Sequence, residues 1–355
     1  MADIDSVNQQ FIRYDQVRKA HTYRLAEHPS DEFDEDYEIA TLDFSQFLSG
    51  DAEAKERFAK AFAGALEEIG FAVLVGHGVD PALYDEIEKL TLDLFTTTPL
   101  AEKMRFRASR HGSVNQGYFP IEETSDIHPD LVEGWVWCRR AFDIPQHREQ
   151  AFRPEDYWPR AELEQQARRL VLAHEQLFKP IAQAMLQGLG CDPNLLDEKL
   201  TRTNFGLRLN YYPPMTKEQD CSGAARLLGH EDVDLFTILP ASRIDGLQVW
   251  NHRSSKWVRM KAPPGSIIIN TGDYMQRISN DRLPSTTHRV GKPSDGLHRE
   301  RSRVSFPIAV YVWEDEILEV LPGLGIPRYE PVKAIAFHTR TTSKFYGDDY
   351  AVDTD

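Results

Sequence analysis

Apolar residues recur with one period in the first half of the chain and another in the second. Between residues 51 and 69, Phe58, Phe62, Leu66 and Ile69 fall at helical spacing, and Gly70 follows as a C-terminal cap. The spacing predicts further helices over 81–95, from 99 to 107 and over 161–187, the last to be bent or split by Pro180. EIATLDFSQF (38–47) and FAVLVGHG (71–78) read as strands, each running into a turn. From Arg202 the period drops to two. Strands are expected at 206–212, 235–239, 247–250, 257–261, 266–270, 286–290 and 303–312, with turns such as 263–265 and Asp245–Gly246 between them. Helices followed by many short strands do not alternate as βαβ units. The pattern favours a mainly β fold with helices, a sandwich or jelly roll under a helical N-terminal layer.

Composition narrows the partners more than the chemistry. The 355 residues carry a formal net charge of −15, which weighs against binding a phosphate backbone. No apolar run approaches 18 residues and the acidic start MADIDSVNQQF lacks an apolar leader, so neither a spanning helix nor a secretory signal is expected. Cys138, Cys191 and Cys221 form no CxxC pair and no disulfide framework, which fits a reducing compartment and a cytoplasmic protein. The expected partner is a small molecule, with the chain a monomer or weak homodimer.

Candidate chemistry centres on GHEDVDLFTILP and STTHRV. His230 and Asp232 are two apart, so on a strand they share a face, and His288 lies on another predicted strand. Two imidazoles and one carboxylate leave open positions on an octahedral ion, as in non-haem Fe(II) oxygenases; a zinc hydrolase is compatible with the same donors. Arg303 and Ser305 share a strand face, and a guanidinium fork beside a hydroxyl matches one end of a dicarboxylate. In GLRLNYYPP, Gly206, Arg208, Asn210 and Tyr212 share a face, while Leu207, Leu209 and Tyr211 face the other way to pack. Arg208 is placed to meet a substrate anion. Tyr118, Phe119 and Trp135, in an aromatic- and glycine-rich segment, are candidates for a substrate-facing wall. The C-terminal segment 337–350 is a candidate cover for the site.

In combination these motifs resemble the 2-oxoglutarate/Fe(II)-dependent dioxygenases of the isopenicillin N synthase-like superfamily over nearly the whole chain. NYYPP, HED in place of the usual HTD, DGLQVW, PPGSIIINTGDYMQRISNDRLPSTTHRV and RVS for the RxS motif carry the likeness, with EEIGFAVLVGHGV upstream. The resemblance implies a double-stranded β-helix core with a helical N-terminal region packed against it. It implies an N-terminal region over 1–160, and the long helix plus catalytic core over 161–355, as one unit. By the same resemblance His230, Asp232 and His288 bind iron, Arg303 and Ser305 hold the distal carboxylate of 2-oxoglutarate, and Asn210 and Tyr212 contact the cosubstrate or the substrate near the metal. Fe(II) is then the metal, with 2-oxoglutarate and O₂ as cosubstrates. Glu231 stands where threonine is usual between the ligands, and the segment 291–302 is longer than is typical. Retention of Asp232 argues against halogenation. The expected reaction is hydroxylation or desaturation of a small, anionic or amino-acid-like metabolite in specialised biosynthesis. The alternatives are a 2-oxoglutarate-independent oxidative cyclase and a noncatalytic binding protein that senses iron or a metabolite.

Overall fold

The computed structural model describes residues 27–346, apart from 29, 109–115, 122–129, 145–151, 202, 218 and 220–225. The first 26 residues of the polar arm, Cys221 and positions 347–350 of the C-terminal segment lie outside the described residues. The expected opening strand is short. Strand β1 (Thr41–Asp43) stops where Asp43 Oδ1 accepts from the Ser45 amide (3.0 Å) and hydroxyl (2.7 Å), and Ser45–Leu48 turns helical. That Asx turn supplies the backbone with a local partner that ends the strand.

Helix α1 (Ala52–Ile69) begins at Asp51, whose side chain accepts from Ala54 N at 2.8 Å, and ends at Gly70 in the left-handed conformation (φ 73°). A Cβ at Gly70 would stand 2.6 Å from the Pro284 carbonyl and 2.7 Å from Thr286 Oγ1. Gly70→Ala therefore adds a clash to backbone strain. The expected cost is about 2 kcal/mol or more, read as a drop in the denaturation midpoint with an unchanged slope.

Strand β2 (Phe71–Val75) leads to α2 (Pro81–Thr97), which Asp80 caps from Ala82 N and Pro81 opens at its first position. A short helix, Leu100–Met104, follows, then β3 (Gly117–Phe119) and β4 (Glu133–Cys138). Helix α3 (Ala161–Gly188) packs on α1 and continues through Pro180, so the proline does not split it. Leu177, Phe178, Ile181, Ala182 and Met185 on either side are buried in one core. Burial of that face outweighs the single missing hydrogen bond.

The remaining strands are β5 (Asn204–Tyr212), β6 (Leu227–His230), β7 (Phe236–Pro240), β8 (Leu247–Asn251), β9 (Lys256–Arg259), β10 (Ile267–Thr271), β11 (His288–Val290), β12 (Arg303–Ser305) and β13 (Ile308–Tyr311). The expected strand over 303–312 is thus two strands, interrupted at Phe306–Pro307. Pro307 has no amide to donate, and its carbonyl instead accepts from Arg208 N at 3.0 Å. One sheet runs β1-β2-β10-β7-β13-β5-β4-β3, with β12 also on β5; a second runs β6-β11-β8-β9. Apart from the parallel β1–β2 pair, all these ladders are antiparallel.

Period-two alternation sorts the large sheet's side chains. Phe205, Leu207 and Leu209 of β5, Phe236 and Ile238 of β7, and Ile267 and Ile269 of β10 join the core under the helices. Their neighbours Gly206, Arg208, Asn210, Thr237, Leu239 and Asn270 line a cavity on the other face. The architecture is the mixed, mostly antiparallel double-stranded β-helix arrangement with a helical N-terminal region against it. No helix among the described residues is long and apolar enough to cross a membrane.

Candidate metal centre and its cavity

The cavity has a volume of about 240 Å³ and takes wall residues from both sheets. His230 ends β6 and His288 opens β11, and the two are direct register partners. Their rings stand 4.4 Å apart between centroids, and Asp232 follows in the loop after β6. One donor atom from each of the three lies within 4.8 Å of the others. Each Nδ1 is turned to a nearby carbonyl, Leu228 O at 2.8 Å and Thr286 O at 3.1 Å. That fixes the tautomer and leaves Nε2 facing Asp232, at 3.7 Å for His230 and 3.9 Å for His288. These separations exceed hydrogen-bond range, so the three groups converge without satisfying one another. Two imidazoles and a carboxylate disposed in this way fit a non-haem Fe(II).

The electrostatics suit that role. Burial, then the neighbouring His288, brings His230 down to about 4, so it presents a neutral ring. Burial opposes ionisation of Asp232, but the two histidines and hydrogen bonds from Asn270 Nδ2 (2.8 Å) and Thr237 Oγ1 (3.0 Å) outweigh it. Its carboxyl is held below the ordinary range. Thr237 Oγ1 also lies 2.6 Å from Asp234, whose carboxyl burial and then the Asp232 charge hold well above the ordinary range. Thr237 thus shares its one hydrogen between Asp232 and Asp234. Glu231 points elsewhere, accepting from Thr287 Oγ1 at 3.0 Å. Asp273 N donates to Asp232 O (2.8 Å), and Gln276 Oε1 accepts from Ser285 N (2.8 Å), which ties the loops flanking the ligands together.

Away from the metal ligands, β12 lies on β5 with Arg303 opposite Tyr212 and Ser305 opposite Asn210. All four line the cavity. Arg303 is buried, donates from Nε to Ile244 O at 3.1 Å, and lies 4.9 Å from the Tyr212 ring centre. Its Nη1 has no hydrogen-bond partner. Asn210 Nδ2 donates to Ser305 Oγ (3.3 Å), and its Oδ1 accepts from Arg208 Nε (2.7 Å). Arg208 also lines the cavity, with its guanidinium carbon 5.6 Å from the Phe119 ring centre and its buried Nη2 without a partner.

Of the three aromatic candidates, only Phe119 reaches the cavity. Tyr118 and Trp135 are register partners across β3 and β4, and both point into the core beneath the helices. Tyr118 donates to Glu133 Oε2 at 2.8 Å, and Trp135 stacks on Trp137 at 5.2 Å. One position along each strand reverses the face, so Phe119 and Val136 take the cavity side.

Several wall residues were not among the sequence candidates. Thr237 and Asn270 carry a readable signal, the polar position within an apolar alternating strand. Asp130, which lines the cavity and accepts from Leu228 N at 3.1 Å, has none. His338 arrives on α4 (Ala334–Tyr346), within the segment expected to cover the site. Burial pulls His338 down to about 3, so it faces the cavity as a neutral imidazole.

Residues 203–309 match the 2OG-Fe(II) oxygenase superfamily, and residues 39–161 match the N-terminal region described as non-haem dioxygenase in morphine synthesis. The 2-oxoglutarate-Fe(II) type oxidoreductase ppzD of Metarhizium rileyi is 25% identical over 337 residues, covering 88% of this chain and 92% of its own. Among solved structures, a putative 2OG-Fe(II) oxygenase family protein from Caulobacter crescentus is similar at 28% identity and a TM-score of 0.73, covering 86% of this chain and 98% of that one. A full-length Neurospora crassa protein, solved in complex with alpha-KG and thymine, shares the fold at 22% identity and a TM-score of 0.74, over 86% and 97% of the two chains. Both halves of the chain match in order, and the matched strands are those that bring His230, Asp232 and His288 together. The chain belongs to the 2OG-Fe(II) oxygenase superfamily.

Proposed function

We propose that this oxygenase hydroxylates or desaturates a small anionic metabolite, with Arg303 and Ser305 receiving the distal carboxylate of 2-oxoglutarate and Arg208 receiving an anionic group of the substrate. The observation that carries the reading is a pair of cavity-lining guanidinium groups, each with a buried nitrogen that lacks a partner. Buried unpaired donors are costly, and a carboxylate relieves that cost with strong, charge-assisted bonds. Arg208 sits four residues before Tyr212, which faces Arg303 across the strands, so the two backbone positions are about 13 Å apart along β5.

His230 and His288 would hold iron through Nε2, and Asp232 through a carboxylate oxygen. Bound iron supplies the means to activate O₂ with 2-oxoglutarate and oxidise an unreactive C–H bond. The chain's own part is positioning. Asn210 links the two anion sites, donating to Ser305 and accepting from Arg208. Phe71, Phe119, Val136, Leu239 and Leu247 give the cavity an apolar wall that excludes water around the reacting carbon.

A screen of amino acids and other small carboxylates, read by succinate formation and O₂ uptake, tests the proposal. Turnover of a neutral substrate only, or turnover without succinate, would overturn it. Arg208→Leu should raise KM for the anionic substrate on the order of 30-fold or more, the range for losing one partner of a buried charge pair. 2-Oxoglutarate affinity should change little.

A further inference from the structure

Arg226 is a second guanidinium behind the Arg303 subsite, placed immediately before β6. It is 1% exposed, buried like Arg303. Among the described residues its one hydrogen bond runs from Nη2 to Arg301 O at 3.3 Å, two residues before Arg303. Nε and Nη1 have no partner. The Arg301 contact sets its guanidinium against the chain entering β12, and burial, then the charge of Arg303, brings its pKa down to about 10. Asp245 is the carboxylate that acts on both, and its Oδ2 accepts from the Ser294 amide and hydroxyl. Two buried guanidinium groups thus share one carboxylate, one negative charge against two positive. A protein does not gain stability from such a cluster unless a counter-charge arrives, because each unpaired buried ion carries a desolvation penalty.

We propose that Arg226 is a positioning residue that keeps the Arg303 subsite one negative charge short, so that it accepts dicarboxylate 2-oxo acids and rejects monocarboxylate ones. The inference rests on the assignment of Arg303 to the distal carboxylate of 2-oxoglutarate. Arg226 is not part of the cavity wall, and it acts through Arg303 and through the backbone of Arg301. A 2-oxo acid with an apolar tail leaves the repulsion between the two arginines unrelieved. One with a distal carboxylate removes it. Because the effect is electrostatic, it follows charge rather than shape, and lysine should preserve most of it.

The test is anaerobic isothermal titration of the Fe(II)-loaded full chain with 2-oxoglutarate and with 2-oxopentanoate, alongside thermal unfolding of the ligand-free protein. Arg226→Met should weaken 2-oxoglutarate about tenfold or more and leave 2-oxopentanoate unchanged or tighter, while Arg226→Lys stays within about threefold of the parent. Ligand-free Arg226→Met should unfold at an equal or higher temperature, since an unpaired buried ion has been removed. Unchanged discrimination between the two acids in Arg226→Met, or equal loss of both, would overturn the inference, as would a lowered unfolding temperature with discrimination intact. Arg303→Gln separates the two levels. If it weakens 2-oxoglutarate and Arg226→Met does not, the inference alone fails. If Arg303→Gln leaves 2-oxoglutarate affinity unchanged, the subsite assignment fails and the inference with it.

Discussion

An Asp232→Ala protein is expected to lose turnover by a factor well beyond the roughly 10- to 100-fold that outer hydrogen-bond partners of metal ligands carry. The carboxylate is the only anionic member of the three-residue cluster. Without it, two imidazoles remain, too few donors and no negative charge to hold a divalent ion. The same change strands the Asn270 Nδ2 donor, which points at Asp232 Oδ2, while Thr237 keeps Asp234 as a partner. One buried donor left unpaired destabilises the fold by about 1–3 kcal/mol, partly offset as Asp234 escapes the neighbouring charge. Iron content after anaerobic reconstitution and O₂ uptake check the prediction together. A variant that kept one iron per chain and its turnover would refute the assignment. Thr237→Val is the graded companion: it should retain the metal site and lose activity within the 10- to 100-fold range of an outer partner.

Replacing Arg303 with glutamine is expected to weaken 2-oxoglutarate about 30- to 1000-fold, the range for truncating one partner of a buried, hydrogen-bonded charge pair. Arg303 is buried beside Tyr212 and Ser305, and its Nη1 has no hydrogen-bond partner. Glutamine keeps part of the length and one donor pair but loses the charge and the fork, which are what recognise a carboxylate in two-pronged fashion. Maximal rate at saturating 2-oxoglutarate should fall much less than affinity, because Arg303 is not one of the three metal donors and its proposed part is to bind the cosubstrate. Titration by intrinsic tryptophan fluorescence under anaerobic conditions, set against steady-state KM and kcat, reads the split. A fall in kcat with unchanged affinity would contradict the role.

Much of the site was legible because it is written in period-two strands. The HED triplet and the later STTHRV predict two imidazoles and a carboxylate, and the structure pairs His230 with His288 across adjacent strands. The GLRLNYY alternation predicts that Gly206, Arg208, Asn210 and Tyr212 share a face, and all four line the cavity. The same rule could not choose the face for β3 and β4, where apolar residues occupy both sides. Trp135 and Trp137 stack in the core, whereas Phe119 turns to the cavity. Pro180 and Pro307 show the two ways a proline resolves. Within α3, buried flanks carry the helix through; between β12 and β13, the missing amide ends the pairing.

The sequence by itself determined the metal donors, the helical and strand halves, and which residues alternate together, because each is a matter of local spacing and residue chemistry. Tertiary structure alone decided which polar groups remain unpaired. Arg303, Arg208 and Arg226 look alike as arginines in a chain of net charge −15. Other arginines found carboxylates, as Arg289 did with the buried Asp31 at 2.7 Å. Arg303, Arg208 and Arg226 were left with free buried nitrogens. His338 joins the cavity wall from fifty residues beyond His288. Pairing and burial depend on which distant strands and helices meet, and no spacing along the chain encodes that meeting.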